Sequence, residues 1–282
     1  MITHCFSMDV EGFCEGMAES FPIPAGMTSG GRELAEVERN IDETLAFLEG
    51  HSVKATFFVL GKLAQALPKM ICALANNGHE IASHSFDHLR LFNLSRARAY
   101  EALCHSRKVL EDVSGSRVEG FRAPDFSITK DKLYLLDLIR EAGYRYDSSM
   151  FPIRGHDVYG VPDANRWIHR LPNGLVEYPL SVLGFCGLRL PALGGGYFRL
   201  YPLAMTRWIL RTIEKARRPA MFYIHPFELG SVCPLVPNLS RPRRFRHYVG
   251  RVKTRSRFDY LFQHHRFGRA TDVLKSQGFL DQ

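Results

Sequence analysis

With 282 residues, of which 45% are hydrophobic and 23% charged, the chain has the make-up of a globular protein able to bury a core without disulfide or metal staples. That composition excludes a disordered or fibrous chain. The cysteines (Cys5, Cys14, Cys72, Cys104, Cys186 and Cys233) include no Cys-x-x-Cys pair, so they point to buried thiols in a reducing compartment rather than a disulfide framework or zinc knuckle.

The Met-Ile-Thr-His-Cys-Phe-Ser-Met-Asp start shows no basic segment followed by an apolar one, so no secretory signal is expected and the expected compartment is the cytoplasm. The first strand is expected over Ile2 to Met8, running into Asp9-Val10-Glu11-Gly12. A polar loop follows, then a helix whose Leu34, Val37, Ile41, Leu45 and Leu48 recur at helical spacing, with Gly50 as its stop. Ala55-Thr56-Phe57-Phe58-Val59-Leu60 is almost continuously apolar, the pattern of a strand buried on both faces.

A second helix carries Leu67, Met70, Ile71 and Leu74, with Gly78 beyond its end, and His79 to Ser83 makes a short strand. Ser95 is placed to cap a helix running to about Val113, and Thr129 to cap another ending before Gly143. The stretch Tyr178 to Leu190 is apolar but too short and too interrupted by glycine to span a bilayer. A later helix, about Pro202 to Ala216, precedes a strand at Ala220 to Ile224. Strand-helix alternation of this kind predicts parallel strands covered by helices, in a barrel or a doubly wound sheet.

In both architectures functional residues gather where strands end. Asp9 and Glu11 follow the first strand, and His84 follows the strand ending at Ser83. Arg122 follows Val118 to Phe121, Asp147 follows Tyr144 to Tyr146, and His225 follows Ala220 to Ile224. His84 and His88, four apart, have a common metal-ligand spacing, with both rings facing one way if the segment is a helical turn. Glu11 would complete a two-histidine, one-carboxylate set that leaves positions open for water and substrate. Asp9 is then free to take a proton from water, Arg122 to pair with Asp9 and orient it, and His225 to act as a general acid. Phe13, Phe126, Phe151, Tyr197 and Phe198 are candidates to stack on a sugar, with core packing the commoner role for each. Glu177 and His79 read as structural polar residues, and His264 and His265 as exposed.

Asp9-x-Glu11, His84-Ser85-x-x-His88, Gly120-Phe121-Arg122-Ala123-Pro124 and Ile224-His225-Pro226 come in the order of the motifs of the polysaccharide deacetylase family, the NodB-homology deacetylases or carbohydrate esterase family four. Ala55 to Gly61, Gly78 to Ile81 and Tyr144 to Ser149 resemble that family too. Gly194 to Leu200 and Arg266-Phe267-Gly268 resemble a subgroup associated with bacterial exopolysaccharide systems, so the resemblance spans nearly the whole chain. It implies an α/β fold, an irregular (β/α) barrel, over a single catalytic domain at 1–282 with a basic extension at about 235–282. It also implies a divalent metal, most often zinc, with cobalt, nickel or manganese as substitutes.

Carried over residue by residue, Asp9 matches the family's base, Glu11, His84 and His88 its metal ligands, Arg122 the residue orienting the base, and His225 the acid. The sequence departs from the pattern in having Glu11 where the family usually has Asp. Asp125 stands where the subgroup more often has a small or hydroxyl residue, and it is given no role. The Asp-Trp pair that tunes the family's histidine has no counterpart, and Asp147 is the nearest candidate for that tuning.

The implied activity is metal-dependent removal of an acetyl group from an amino sugar in a bacterial polysaccharide or its precursor. Two alternatives stand beside it: a deformylase or amidase acting on a lipid-linked amino sugar or small amide, and a catalytically silent glycan-binding module. The net charge of +8 is concentrated between Arg241 and Arg257, where Arg241, Arg243, Arg244, Arg246, Arg251, Lys253, Arg255 and Arg257 meet no acidic residue. Such a run suits an anionic glycan, a lipid-linked diphosphate sugar or peripheral contact with an anionic membrane. No nucleic-acid motif accompanies it, and nucleic acid is not an expected partner.

Overall fold

Strand β1 (Thr3–Val10) is buried at every residue after Thr3, as a strand at the centre of a parallel sheet must be. In the computed structural model, which describes residues 2–18, 23–28, 31–154, 160–185 and 188–281, it is followed by β2 (Thr56–Val59), β3 (Glu80–Ser83), β4 (Gly120–Phe121) and β5 (Tyr146–Asp147). Then come β6 (His169–Arg170), β7 (Val176–Glu177), β8 (Val182–Phe185), β9 (Leu188–Pro191), β10 (Met221–Ile224) and β11 (Arg266–Gly268). Cys186 lies outside the described residues.

One sheet runs β10-β1-β2-β3-β4-β5-β7-β6, parallel throughout except that β6 is antiparallel to β7. Its ends are joined without a ladder. Tyr178 Oη donates to the Ala220 carbonyl at 2.9 Å, Met221 N–H donates to Ser181 Oγ at 2.8 Å, and Tyr223 N–H donates to the Leu193 carbonyl at 3.3 Å. The sheet therefore curls into the irregular α/β barrel that the strand-helix alternation and motifs led us to expect. Hairpin β8–β9 stands apart as a second, two-stranded sheet.

Strand alternation divides the interior into two layers. Phe6, Met8, Val10, Phe57, Val59, Ile81, Phe121, Phe222 and Ile224 face outward into the larger core, under the helices. Cys5, Phe58, Ala82, Tyr146, Val176, Met221 and Tyr223 pack inside the barrel. Asp9 shares the inward parity of Cys5, so its carboxylate is delivered to the barrel mouth by the same alternation that buries its neighbours.

Helix α1 (Arg32–Gly50) buries Val37, Ile41, Phe47 and Leu48. Helices α2 (Gly61–Ala66) and α3 (Pro68–Asn76) link β2 to β3. Helix α4 (Arg96–Ser114) starts where Ser95 Oγ accepts from the Arg98 N–H and ends at Gly115, whose φ of 65° suits glycine. Thr129 makes no such cap: its hydroxyl donates to Asp131 at 2.7 Å, and α5 (Leu135–Glu141) begins only after a 3₁₀ turn at Lys130–Lys132.

Beyond these come α6 (Gly195–Leu200), α7 (Leu203–Lys215), α8 (Pro226–Leu229), α9 (Arg241–Tyr248), α10 (Thr254–His264) and α11 (Ala270–Ser276). The end of the chain is woven into the barrel. β11 pairs with Thr3–Cys5 of β1, and the buried Glu80 carboxylate accepts from Thr56 Oγ1, Tyr146 Oη and the Thr271 N–H. His265, expected to be exposed, is buried because it closes α10 against the barrel floor, where its Nδ1 meets Glu214 at 2.8 Å. Among the described residues no helix is long and apolar enough to cross a membrane.

Candidate active site

Arg122 is fully buried one residue past β4, a position that demands pairing of its charge. Its Nη1 donates to Asp9 Oδ1 at 2.6 Å and Ser7 Oγ at 3.0 Å, its Nε to the Ser148 carbonyl at 3.2 Å, and its Nη2 to Ser148 Oγ at 3.0 Å. The guanidinium also lies 4.0 Å from the ring centre of Phe58. Held at this many points, it fixes the Asp9 carboxylate at the end of β1.

Glu11, His84 and His88 are all buried, and their ligand atoms lie within 4.8 Å of one another. The two histidines are not on a helical turn. The chain bends after β3, with Ser85 at φ 71°, and this left-handed residue turns both rings toward Glu11. His84 Nδ1 meets the Arg122 carbonyl at 2.8 Å, which only an N–H can satisfy, so that bond fixes the ring and leaves Nε2 facing Glu11 Oε2, 3.3 Å away. His88 Nε2 comes within 2.7 Å of the same oxygen, yet Glu11 Oε2 and His88 Nδ1 are buried without a hydrogen-bond partner among the described residues. Two imidazole nitrogens and one hard carboxylate therefore fit a divalent metal. Burial alone would raise the Glu11 carboxyl, but His88, His84 and His225 outweigh it and hold it well below its usual range.

A second cluster, His4, Glu214 and His265, has the same residue types and a different logic. His4 Nδ1 accepts from the Ala220 N–H at 3.1 Å, so its Nε2 carries the hydrogen and donates to Glu214 at 3.2 Å. With its lone pair used by the backbone, His4 offers a metal nothing, and this cluster is a hydrogen-bonded clamp on the barrel floor.

His225, the residue after β10, places Nε2 3.4 Å from Glu11 Oε1 and Nδ1 2.9 Å from Glu228 Oε2. Glu228 in turn pairs with Arg199 Nε at 2.6 Å, with both side chains buried. Burial opposes a charge on His225, but Glu228, Glu11 and Asp9 overcome it and lift the imidazole to about 9. The carboxylate beside His225 is thus Glu228, where Asp147 was expected. Asp147 points elsewhere: it accepts from Ser149 Oγ at 2.6 Å and sits against Glu177, whose carboxyl is pushed well above its usual range by burial and by Asp147. That pair braces the Ser148-Ser149 turn beneath Arg122 and Ala123.

Glu228 could have been found from sequence as the third residue of a helical turn that starts at His225, the spacing of a capping box; its carboxylate accepts from the His225 N–H at 2.9 Å. Arg199 had no local signal, because its partners are distant in sequence.

The two carboxylates, three histidines and Arg199 line a cavity of about 490 Å³. Of the five aromatic residues proposed to stack on a sugar, Phe126 and Tyr197 line it, whereas Phe13, Phe151 and Phe198 are packed in the core. Tyr223, Phe227 and Phe245 line it as well, unforeseen from sequence. Asp125, at φ 50°, is on the wall and paired with Arg90 at 2.7 Å.

Residues 33–146 match the family described as Polysaccharide deacetylase, and residues 148–275 match a Domain of unknown function (DUF3473). A Bacillus cereus peptidoglycan-N-acetylglucosamine deacetylase is 30% identical over 86 residues, 30% of this chain and 31% of that protein, so the match spans about a third of the relative. Among solved structures, a Mycobacterium smegmatis protein assigned to the polysaccharide deacetylases aligns over 98% of this chain and 89% of its own, with a TM-score of 0.67 and 18% identity. The allantoinase Puue aligns over 99% and 92%, with a TM-score of 0.62 and 16% identity. Likenesses at such identity establish a shared fold. Residues 33–146 are thus a polysaccharide deacetylase region, followed directly by the second matched region.

Proposed function

We propose that this protein is a metal-dependent N-deacetylase acting on an amino sugar in a bacterial polysaccharide or its precursor. The observation that carries this reading is the convergence, in one cavity, of the Glu11-His84-His88 set with the Asp9-Arg122 pair and the His225-Glu228 pair. A divalent cation held by Glu11, His84 and His88, zinc first among candidates, would polarise the amide carbonyl and acidify water. Asp9, aimed by Arg122, takes the proton of the attacking water. His225, held through Nδ1 by Glu228, gives a proton from Nε2 to the departing amine nitrogen. Phe126, Tyr197 and Tyr223 offer the aromatic faces on which a sugar ring stacks.

Removal of formyl from a lipid-linked amino sugar, or opening of a small amide, uses the same groups, and the allantoinase fold likeness keeps that reading second. A silent glycan-binding module has no need for base, base-orienting arginine and histidine acid in one cavity. A cytoplasmic location and a place in exopolysaccharide synthesis belong to the same proposal. So does peripheral contact with an anionic membrane, toward which the run presents exposed cations such as Arg241 and Arg244. The rest of the basic run serves the fold in part, since Arg251 donates to the Phe227 and Gly230 carbonyls and Arg257 to those of Phe198 and Arg199.

The test is acetate release from N-acetylated oligosaccharides by metal-loaded wild type and Asp9→Asn, with metal content assayed in both. Activity that requires metal and disappears in an Asp9→Asn protein still holding metal supports the reading. Metal binding without acetate release from any glycan moves the formyl and small-amide substrates ahead of it.

A further inference from the structure

One wall of the cavity is made by the basic segment. Phe245, Arg246, His247 and Val249 line it together with the metal-ligand set. From Glu228 to Asp259 the chain contains no other acidic residue, so this wall brings cations without carboxylates of its own. It is also anchored. Arg199, already paired with Glu228, donates to the carbonyls of His247 and Arg246, and Tyr248 Oη donates to the Pro234 carbonyl at 2.8 Å while accepting from the Val236 N–H at 3.0 Å. The backbone beneath Arg246 is thus fixed to Arg199, the partner of the Glu228 carboxylate beside His225.

The cavity's carboxylates are engaged elsewhere: Asp9 by Arg122, Asp125 by Arg90, and Glu11 by three imidazoles. His247 adds no positive charge to the wall, since burial first and then the charges of Arg246, Arg199, His225 and Arg243 hold its imidazole down to about 4. A neutral glycan gains little from such a wall. An anion placed against it is attracted across a short, partly desolvated distance.

Resting on the amino-sugar reading of the site, we propose that the natural substrate carries an anionic group, carboxylate or phosphate, next to the acylated sugar, and that Arg246 on the α9 wall binds it. Arg246 is then a specificity determinant, and Phe245, 59% exposed at the same wall, packs against the sugar beside the charge.

Matched pairs of probes test this and identify the anion. Chitotetraose against a hyaluronan tetrasaccharide asks about a carboxylate; N-acetylglucosamine against its 1-phosphate asks about a phosphate. Binding is measured by calorimetry on metal-loaded Asp9→Asn protein, so the result does not depend on turnover, and again with Arg246→Gln added. A preference for one charged probe of about tenfold at low salt is expected, falling to near parity in Arg246→Gln and shrinking as salt rises. Equal binding of charged and neutral partners overturns the proposal and leaves the deacetylase reading standing. A preference that survives Arg246→Gln overturns it too. So does a variant that loses affinity only for phosphatidylglycerol vesicles, which would assign the arginine to a membrane surface.

Discussion

Glu228 stands behind His225 as a buried carboxylate with two partners, the imidazole Nδ1 and Arg199. Replacing it with glutamine keeps a polar group at Nδ1 but removes the charge that orients the protonated ring. Acetate release per folded, metal-loaded molecule should fall about 10- to 100-fold in kcat with KM nearly unchanged, and Glu228→Asp should recover part of the loss. The same change leaves Arg199 buried without its counter-charge, so unfolding should come about 3 kcal/mol more easily. A variant with wild-type kcat would remove Glu228 from the reaction. Gly16 offers a cleaner separation of site from fold. A methyl there would overlap Glu11 Oε1 and stand 2.9 Å from Cδ, so the carboxylate must swing aside. Gly16→Ala should weaken metal binding about tenfold while stability holds or rises slightly, as alanine favours the helical turn at Glu15–Ala18. Metal titration alongside thermal melts checks both. That Asp9, Glu11, His84, His88, Arg122 and His225 would meet was legible because each stands at or just past a strand end in a chemically distinctive motif. Glu228 was passed over because a glutamate in a first helical turn reads as a cap, whereas Asp147 drew notice by following a strand and lies against Ser149 and Glu177 instead of His225.

The elements most legible in the sequence are those that carry their signal locally. β1, β2 and β3 are buried along nearly their whole length, and β2 reads as an apolar run; α1 and α7 show helical periodicity. β6, β7 and β11 are two or three residues long, and the partners that make them strands lie far away in sequence. No periodicity can announce such pieces. The cost shows at the end of the chain, where a basic extension was expected from about 235. Its last part supplies Phe267, Val273, Leu274 and Leu280 to the buried interior, and the Thr271 N–H as a third donor to the buried Glu80. Burying four such side chains is worth roughly 6–12 kcal/mol at about 1.5–3 kcal/mol each, comparable with the whole stability of a domain. We therefore propose one folding unit over the chain and expect a truncation after His265 to yield no cooperatively melting soluble protein. A folded truncated barrel with an unchanged melting curve would show that the last elements are dispensable.

At the scale of the whole molecule, stability against pH depends on groups away from the cavity as well as in it, and Glu36 separates cleanly from the rest. Its carboxyl is raised to about 7, first by burial and then by the charge of Glu33, against a hydrogen bond from the Phe13 N–H. Between its ordinary value near 4.5 and about 7 the folded state holds a proton that the unfolded chain has released. Stability contributed by the neutral form is therefore complete below about 4.5, declines as pH rises, and is gone above about 7. His79 works in the opposite direction: burial, with Lys54 and Arg269 adding to it, lowers it to about 4, so its contribution is complete above its ordinary 6.5 and is lost as pH falls through 4. Glu36→Gln replaces the first group with one that never ionises. Its melting temperature should match wild type near pH 4, exceed it progressively through pH 6, and hold a constant advantage above pH 7, whereas His79→Gln should differ in pH dependence only on the acid side. An advantage of Glu36→Gln that is flat from pH 4 to pH 8 would mean that residue 36 acts through packing alone, and one that shrinks as pH rises would reverse the sign argued from its burial.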